Sequence, residues 1–414
     1  MPRTAEEHLA PPAVPENCYV SSSVYTDPEL YAEEEGKILR RTWKFVCHVS
    51  EIPDIGDYRT HVWTGVPLVT VRSPDKTART FVNSCSHRGS RVVRYPAGNM
   101  KHMTCFFHLW EYDLYGNCTY QTRDEGYEAH GPTKEQAGLR AVRTDTFCGL
   151  VFMNFDGNAV PLREYIGETA EAFESIFGEN DFEIIHYNQT HMKGNWKAWF
   201  LTNCDFYHEW GHQVNRSTNL TSPDYHDRPW RLNPTGGHGY TGRKLDNEPF
   251  VVQYKNYKGW KNRDGLVLKG LHPGELVLTD LFPNTSVFVR TTCVRINHST
   301  PYGPDHTVME ERGLGIKGES EADRRQRAKE FTQVWGPFSR NAAEDVAFVE
   351  ETHKCQEFGA NKYDVLSRVE PLGDRWQRPQ SDAYVRLFYE KWSEHMGRPA
   401  NNPKNFMTAA GKQP

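Results

Sequence analysis

Residues 81–91 read FVNSCSHRGSR and residues 104–117 read TCFFHLWEYDLYGN. The first stretch carries Cys85-x-His87 and the second Cys105-x2-His108, with 17 residues between His87 and Cys105. Each pair is short enough for one loop to present a thiolate and an imidazole together, and each follows a β-type run that can hold its loop rigid. Two thiolates and two neutral imidazoles suit either a tetrahedral zinc or a two-iron cluster in which histidine replaces cysteine on one iron. Order separates the readings: zinc fingers place both cysteines before both histidines, whereas here each loop supplies one of each. The pattern points to the cluster, with the cysteines on one iron and the histidines on the other, and structural zinc stays as the alternative.

Outward from these loops, short β-type segments such as HVWTGVPLVTVRS (61–73) and ARTFVNS (78–84) alternate with turn residues from about Phe45 to Phe155, the texture of a small all-β domain. Before it, residues 1–24 read as an irregular leader. Asp27-Pro28 then makes a helix start, and Leu30, Ile38, Leu39 and Trp43 give the next stretch an apolar face opposite a charged one. Beyond residue 160 the pattern is mixed. Helices are expected at Glu168–Phe177, Ala322–Val334 and Asp382–Met396, and strands at Phe250–Tyr254, Glu275–Leu281 and Ser286–Arg295, an α+β texture. The expected division is 1–44 for the leader and a helix packing on the last domain, 45–158 for the all-β domain, and 159–414 for the rest.

The 414 residues carry 54 acidic and 49 basic side chains, a net charge of -5 with interspersed signs, which argues against a nucleic-acid groove. The longest apolar run, Phe147 to Phe155, is about half of the ~18 residues a membrane span requires. The N-terminus is acidic and proline-rich where a secretory signal is apolar, so a cytoplasmic protein is expected. Nine cysteines, an odd and sparse set, do not make a disulfide scaffold.

A second constellation follows Asn195-Trp196-Lys197, in LTNCDFYHEWGHQVNR (201–216). His208 and His212 are four apart, so on a helix they share a face and can bind one metal. With a carboxylate and open positions they would form the facial triad that holds Fe(II) for O2 activation.

On these two constellations the chain resembles the large (α) subunit of the Rieske non-haem iron ring-hydroxylating oxygenases over nearly its whole length. The resemblance implies an N-terminal helix and all-β Rieske domain ahead of an α+β catalytic domain, whose central antiparallel sheet is covered by helices. It implies a [2Fe-2S] cluster on Cys85, His87, Cys105 and His108, and a mononuclear Fe(II) on His208, His212 and Asp345, with O2 as cosubstrate. Asp345 lies in GPFSRNAAEDVAFVEETHKCQ (336–356), where Glu344 is its main competitor. Asp205 would bridge electrons from His108 of one subunit to His208 of the next in a trimer, although three residues before His208 it can also cap a helix. The sequence departs from the family pattern at Leu109, where glycine is usual, at Leu201-Thr202 in place of Glu-Asn, and in having three residues rather than four between the histidines.

Expected partners are a reductase, directly or through a ferredoxin, and further copies of the chain as α3 or, with a small β subunit, α3β3. A substituted benzoate is the first expectation for substrate. The alternatives are a small sulfonate taken by a monooxygenase, and an electron carrier without oxygenase activity. Arg216, Arg290 and Arg295 are candidates to pair with an acidic substrate. Phe200, Tyr207, Trp210, Leu281, Phe282, Val287, Phe288 and Val289 are candidates to line its pocket.

Overall fold

The computed structural model describes residues 4–127, 129–217, 230–241, 266–271, 276–290, 292–373 and 375–405. The chain forms two units, Arg40–Tyr165 and a second made of Met1–Leu39 with Ile166–Pro414.

The Arg40–Tyr165 unit is all β. A seven-stranded antiparallel sheet runs in the order Lys44–His48, Leu150–Asn154, Ala141–Phe147, Ala78–Val82, Val66–Arg72, Asp57–Trp63, Ala97–Asn99. A three-stranded sheet of Met103–Thr104, Glu111–Tyr112 and Cys118–Tyr120 carries the second Cys/His loop. Trp63 pairs directly with Val66 across Thr64-Gly65, both at positive φ, the two-residue reversal whose twist matches that of the strands. Val69, Val71, Phe81, Met103, Trp110 and Tyr112 form one buried cluster with Cys85 and Cys105, so both cysteines stand on packed ground.

The second unit is built on a nine-stranded antiparallel sheet: Phe182–Met192, Thr307–Ile316, Cys293–Pro301, Thr285–Arg290, Leu276–Leu281, His238–Thr241, Trp230–Asn233, Trp376–Gln377 and Pro371–Gly373. Helices Trp196–Cys204 and Glu321–Trp335 pack on its Cys293–Pro301 strand, every residue of which is buried, as in strands covered on both faces. The single strand expected at Ser286–Arg295 is two strands, with Arg290 opposite Cys293. The run is rich in β-branched residues and holds no Gly, Pro or Asn to announce the reversal. The strand expected at Phe250–Tyr254 lies outside the described residues.

The leader is more ordered than its composition suggests. Ala5–Leu9 is helical behind a Thr4/Glu7 capping box, and Tyr19–Ser21 pairs with Tyr363–Val365. Asp27 caps the next helix as read, accepting from the Glu29 and Leu30 amides. That helix runs only Pro28–Glu34, widens over Glu35–Leu39 around Gly36, and stops before Trp43. Trp43 is buried in the all-β unit, with its indole N–H donating to Val160 O.

Glu34 ties this unit together. It is buried and accepts from Lys197 Nζ at 2.7 Å, Trp196 Nε1 at 3.0 Å and Trp392 Nε1 at 2.6 Å. Asn195 accepts from the Lys197 amide and donates to Tyr25 O and Pro304 O. The Asn-Trp-Lys run thereby fixes the helix Trp196–Cys204 to the N-terminal helix and to the C-terminal helix Ala383–Met396, just ahead of Asp205.

Candidate functional site

The two Cys/His loops share one hydrogen-bond pattern. In the first, Cys85 N–H donates to Ser90 O and Gly89 N–H to Cys85 O; in the second, Cys105 N–H donates to Trp110 O and Leu109 N–H to Cys105 O. Gly89 and Leu109 therefore hold equivalent positions, and both have left-handed backbone, φ +73° and +59°. The rings of His87 and His108 lie 4.5 Å apart, with Trp110 stacked on His87 at 4.9 Å. His87 Nε2 is 3.2 Å from the Tyr127 hydroxyl, while its Nδ1 is buried with no partner. Cys85 Sγ is 3.1 Å from the Tyr112 hydroxyl. Burial raises the Cys85 thiol, Tyr112 opposes the rise and neighbouring Cys105 adds to it. Two buried thiols beside an orphaned imidazole nitrogen are a donor set that fits a [2Fe-2S] cluster, which would take both sulfurs as thiolates.

In the other unit the helix Trp196–Cys204 ends at Asp205, whose Oδ1 accepts from the Tyr207 amide at 2.7 Å. A short 3-10 segment, Phe206–Gly211, follows, and His212 sits between it and the next helix, Gln213–Ser217. The expected shared face of one α-helix is therefore corrected: His208 lies on the 3-10 segment and His212 just past its end. The cap at Asp205 starts a new segment, and Gly211, with Phe348 packed against its Cα, closes it.

The helix Ala342–Glu357 brings the carboxylate. One ligand atom from each of His208, His212 and Asp345 lies within 4.8 Å of the others. Asp345 Oδ1 is 3.2 Å from His208 Nε2 and 3.3 Å from His212 Nε2. His208 Nδ1 bonds the Asp205 carbonyl, and His212 Nδ1 bonds Glu344 Oε2 at 2.8 Å. Both partners are pure acceptors, so each Nδ1 carries a proton, and each Nε2 is the nitrogen that a bound cation would take in place of its proton. Among the described residues, His212 Nε2 and Asp345 Oδ1 are buried with no hydrogen-bond partner. Burial alone would lower His208, but Asp345 beside it outweighs that and holds it at about 9. Burial would raise Asp345, and the two histidines pull it below the usual carboxylate range instead. The site is thus poised for positive charge, and two imidazoles with one carboxylate fit a ferrous ion. Glu344, the competitor for the ligand position, orients His212, a role that spacing could not reveal.

Residues 42–128 match the Rieske [2Fe-2S] domain family, and residues 179–398 match the ring hydroxylating alpha subunit catalytic domain family. The chain is the α subunit of a Rieske oxygenase. It is 43% identical to the 2-aminobenzenesulfonate 2,3-dioxygenase subunit alpha of Alcaligenes sp, over 97% of this chain and 99% of that protein. It is 34% identical to the methanesulfonate monooxygenase hydroxylase subunit alpha of Methylosulfonomonas methylovora, over 97% of each. The naphthalene 1,2-dioxygenase of Rhodococcus sp. has the same fold, with a TM-score of 0.77 at 20% identity over 91% of this chain and 94% of that one.

The oxygenase uses a Rieske [2Fe-2S] cluster, mononuclear iron and O2. The zinc and pure electron-carrier alternatives give way to the two domain matches. Among the described residues no helix is long and apolar enough to cross a membrane. Of the arginines singled out in the sequence, Arg216 is exposed and donates to Gln213, Arg295 is buried, and the side chain of Arg290 lies outside the described ones. Phe200 and Phe282 pack on Phe388 as core, and Tyr207 and Trp210 are exposed.

Proposed function

We propose that this oxygenase inserts oxygen into a small organosulfonate, with electrons from a NAD(P)H-dependent reductase arriving directly or through a ferredoxin. The observation that carries the sulfonate is that the two relatives more than 30% identical over nearly their full lengths are named for sulfonates, one aromatic and one aliphatic, whereas the terephthalate 1,2-dioxygenase subunit matched over 92% of this chain is 26% identical. The benzoate expectation gives way to this alternative. A buried cation, Arg295, is available to an anion in the same unit as the triad.

Cys85, His87, Cys105 and His108 hold the cluster in this reading, and His208, His212 and Asp345 hold the ferrous ion. When bound, these groups supply single electrons and O2 activation respectively. The chain's own residues do the rest. The Asp205 carbonyl and Glu344 keep both imidazoles in the Nε2-basic tautomer, and burial of His212 and Asp345 keeps water from the donor atoms.

Asp205 relays electrons from His108 of a neighbouring copy, within a homotrimer that a small β subunit would extend to α3β3. In support, Asp205 and His208 line a cleft of about 640 Å³ with Tyr207, Arg368 and Asp382. The cap uses one oxygen of Asp205 and leaves the other for an incoming imidazole. Asp205→Ala is expected to abolish turnover with the cluster's visible spectrum intact; survival of more than a few per cent of activity removes the bridge.

The substrate reading is tested by product analysis under 18O2 with a reductase, offering 2-aminobenzenesulfonate, methanesulfonate and benzoate in parallel. Labelled product from a sulfonate is the expected result, and turnover confined to benzoate overturns it.

A further inference from the structure

Two buried arginines in the catalytic unit are satisfied very differently. Arg327 has no orphaned nitrogen among the described residues: its Nε donates to Glu319 at 2.6 Å, and Nη1 donates to the carbonyls of Leu266 and Thr292. That is how an arginine kept for structure is held. Arg295, equally buried at 5% exposure, makes one good hydrogen bond, from Nη2 to Asn203 Oδ1 at 2.8 Å. Its other contact, from Nη1 to Glu311 Oε1, is 3.4 Å long. That oxygen also accepts from Asn297, and the second Glu311 oxygen accepts from Asn188.

Two donors are left over at this one junction. Among the described residues, Arg295 Nε and Asn203 Nδ2 are both buried with no partner. Unmade hydrogen bonds of buried donors cost about 1–3 kcal/mol each, more for a charged group, so a junction with two of them is shaped for something that supplies acceptors.

Its position is informative. Arg295 stands on the strand Cys293–Pro301 opposite Phe288, with its guanidinium 5.3 Å from the Phe288 ring centre and 5.4 Å from that of Trp335. Asn203 is the next-to-last residue of the helix Trp196–Cys204, two residues before Asp205. Burial pulls the Arg295 guanidinium below its usual range, while Glu311, Asp345 and Asp280 oppose that. The iron carboxylate and the spare donors therefore share one low-dielectric region.

We propose that Arg295 Nε and Asn203 Nδ2 receive the anionic group of the substrate, a sulfonate, and so set both its charge class and its placement toward the triad. A sulfonate suits the junction because it is ionised at every physiological pH and presents three acceptor oxygens. The guanidinium and the side-chain amide can each donate to a different one. The assignment rests on the sulfonate reading above and names the residues that would carry it.

The test is equilibrium binding of benzenesulfonate, benzoate and uncharged benzenesulfonamide to the iron-loaded full-length enzyme by calorimetry, beside a thermal melt. Arg295→Gln is expected to weaken benzenesulfonate at least about tenfold and to leave benzenesulfonamide within about twofold. Unchanged sulfonate affinity, or equal losses for both probes, overturns the assignment. Should Arg295→Gln not fold because Glu311 is left without its cation, Asn203→Asp decides. It places a carboxylate on Arg295, so the melting temperature should hold while benzenesulfonate weakens by a similar factor. Unaltered binding in that variant overturns the assignment equally. If wild type turns over sulfonates and both variants keep its KM, the sulfonate function stands and Arg295 falls. If wild type binds benzoate but no sulfonate, the substrate reading fails, and the assignment of a sulfonate to this junction fails with it.

Discussion

In the all-β unit the four candidate ligands lie between residues 85 and 108, on two loops that close on their own backbones in the same way. In the catalytic unit the three candidate ligands come from residues 208, 212 and 345, on a 3-10 segment, just past its end, and on a distant helix. The first site is rigid because each loop satisfies itself and stands on a packed cluster. The second is rigid only if the scaffold between its parts is, and Glu34 with Lys197, Trp196 and Trp392 is what holds the segment leading into it. A locally closed site should survive damage that dismantles a site assembled from afar.

The largest separation of the two is expected from Asp345→Ala. Iron content should fall from about three to about two per chain, and turnover should vanish, while the visible spectrum of the cluster is unchanged. Retention of the third iron would return the ligand position to another carboxylate. Next in size is Glu34→Ala. Removing one partner of a buried ion pair costs about 3–5 kcal/mol, and here two indole donors are orphaned as well. Circular dichroism should show the catalytic unit melting early while cluster absorbance persists to the wild-type temperature. A single shared transition at both wavelengths would deny the two units their independence.

The same contrast explains what could be read from the chain. Cys85, His87, Cys105 and His108 announce themselves because their spacing is local and their residue types are chemically selective. Asp345 was reachable through resemblance, since nothing near His212 points to a helix beginning at Ala342. Glu34 sits in a stretch whose charged residues read as a solvent face, and only the fold shows it buried between two indoles. The histidine pair does meet Asp345, though not on the face of one helix. Four-residue spacing suggests a helix, but Asp205 caps and Gly211 closes a tighter segment. The double role of the Glu344-Asp345 pair, one residue orienting His212 and the next facing both imidazoles, depends on tertiary placement.

A smaller effect is expected at Glu344. Its bond to His212 Nδ1 fixes ring and tautomer, and loss of such support costs about 10–100-fold in metal affinity. Glu344→Ala should therefore release its mononuclear iron to a chelator at correspondingly lower concentration, with two irons per chain left behind. Iron retention equal to wild type would make the contact incidental.

The finest test compares the two loops with each other. Gly89 and Leu109 occupy equivalent left-handed positions, a conformation costing an L-residue about 1–2 kcal/mol and glycine almost nothing. A Cβ at Gly89 would meet nothing nearer than Ser84 Oγ at 3.7 Å, so Gly89→Ala isolates the conformational cost and should destabilise the all-β unit by about 1 kcal/mol. Leu109 already carries that cost, with its side chain 56% exposed and contributing little burial in return. Leu109→Gly should then stabilise the same unit by about 0.5–1 kcal/mol, less than the full strain because glycine also loosens the unfolded chain. Opposite signs in thermal melts followed at the cluster absorbance would establish that the loops are equivalent in backbone and differ only in side chain. A loss of stability in both variants would mean that Leu109 does something for its loop that outweighs its strain.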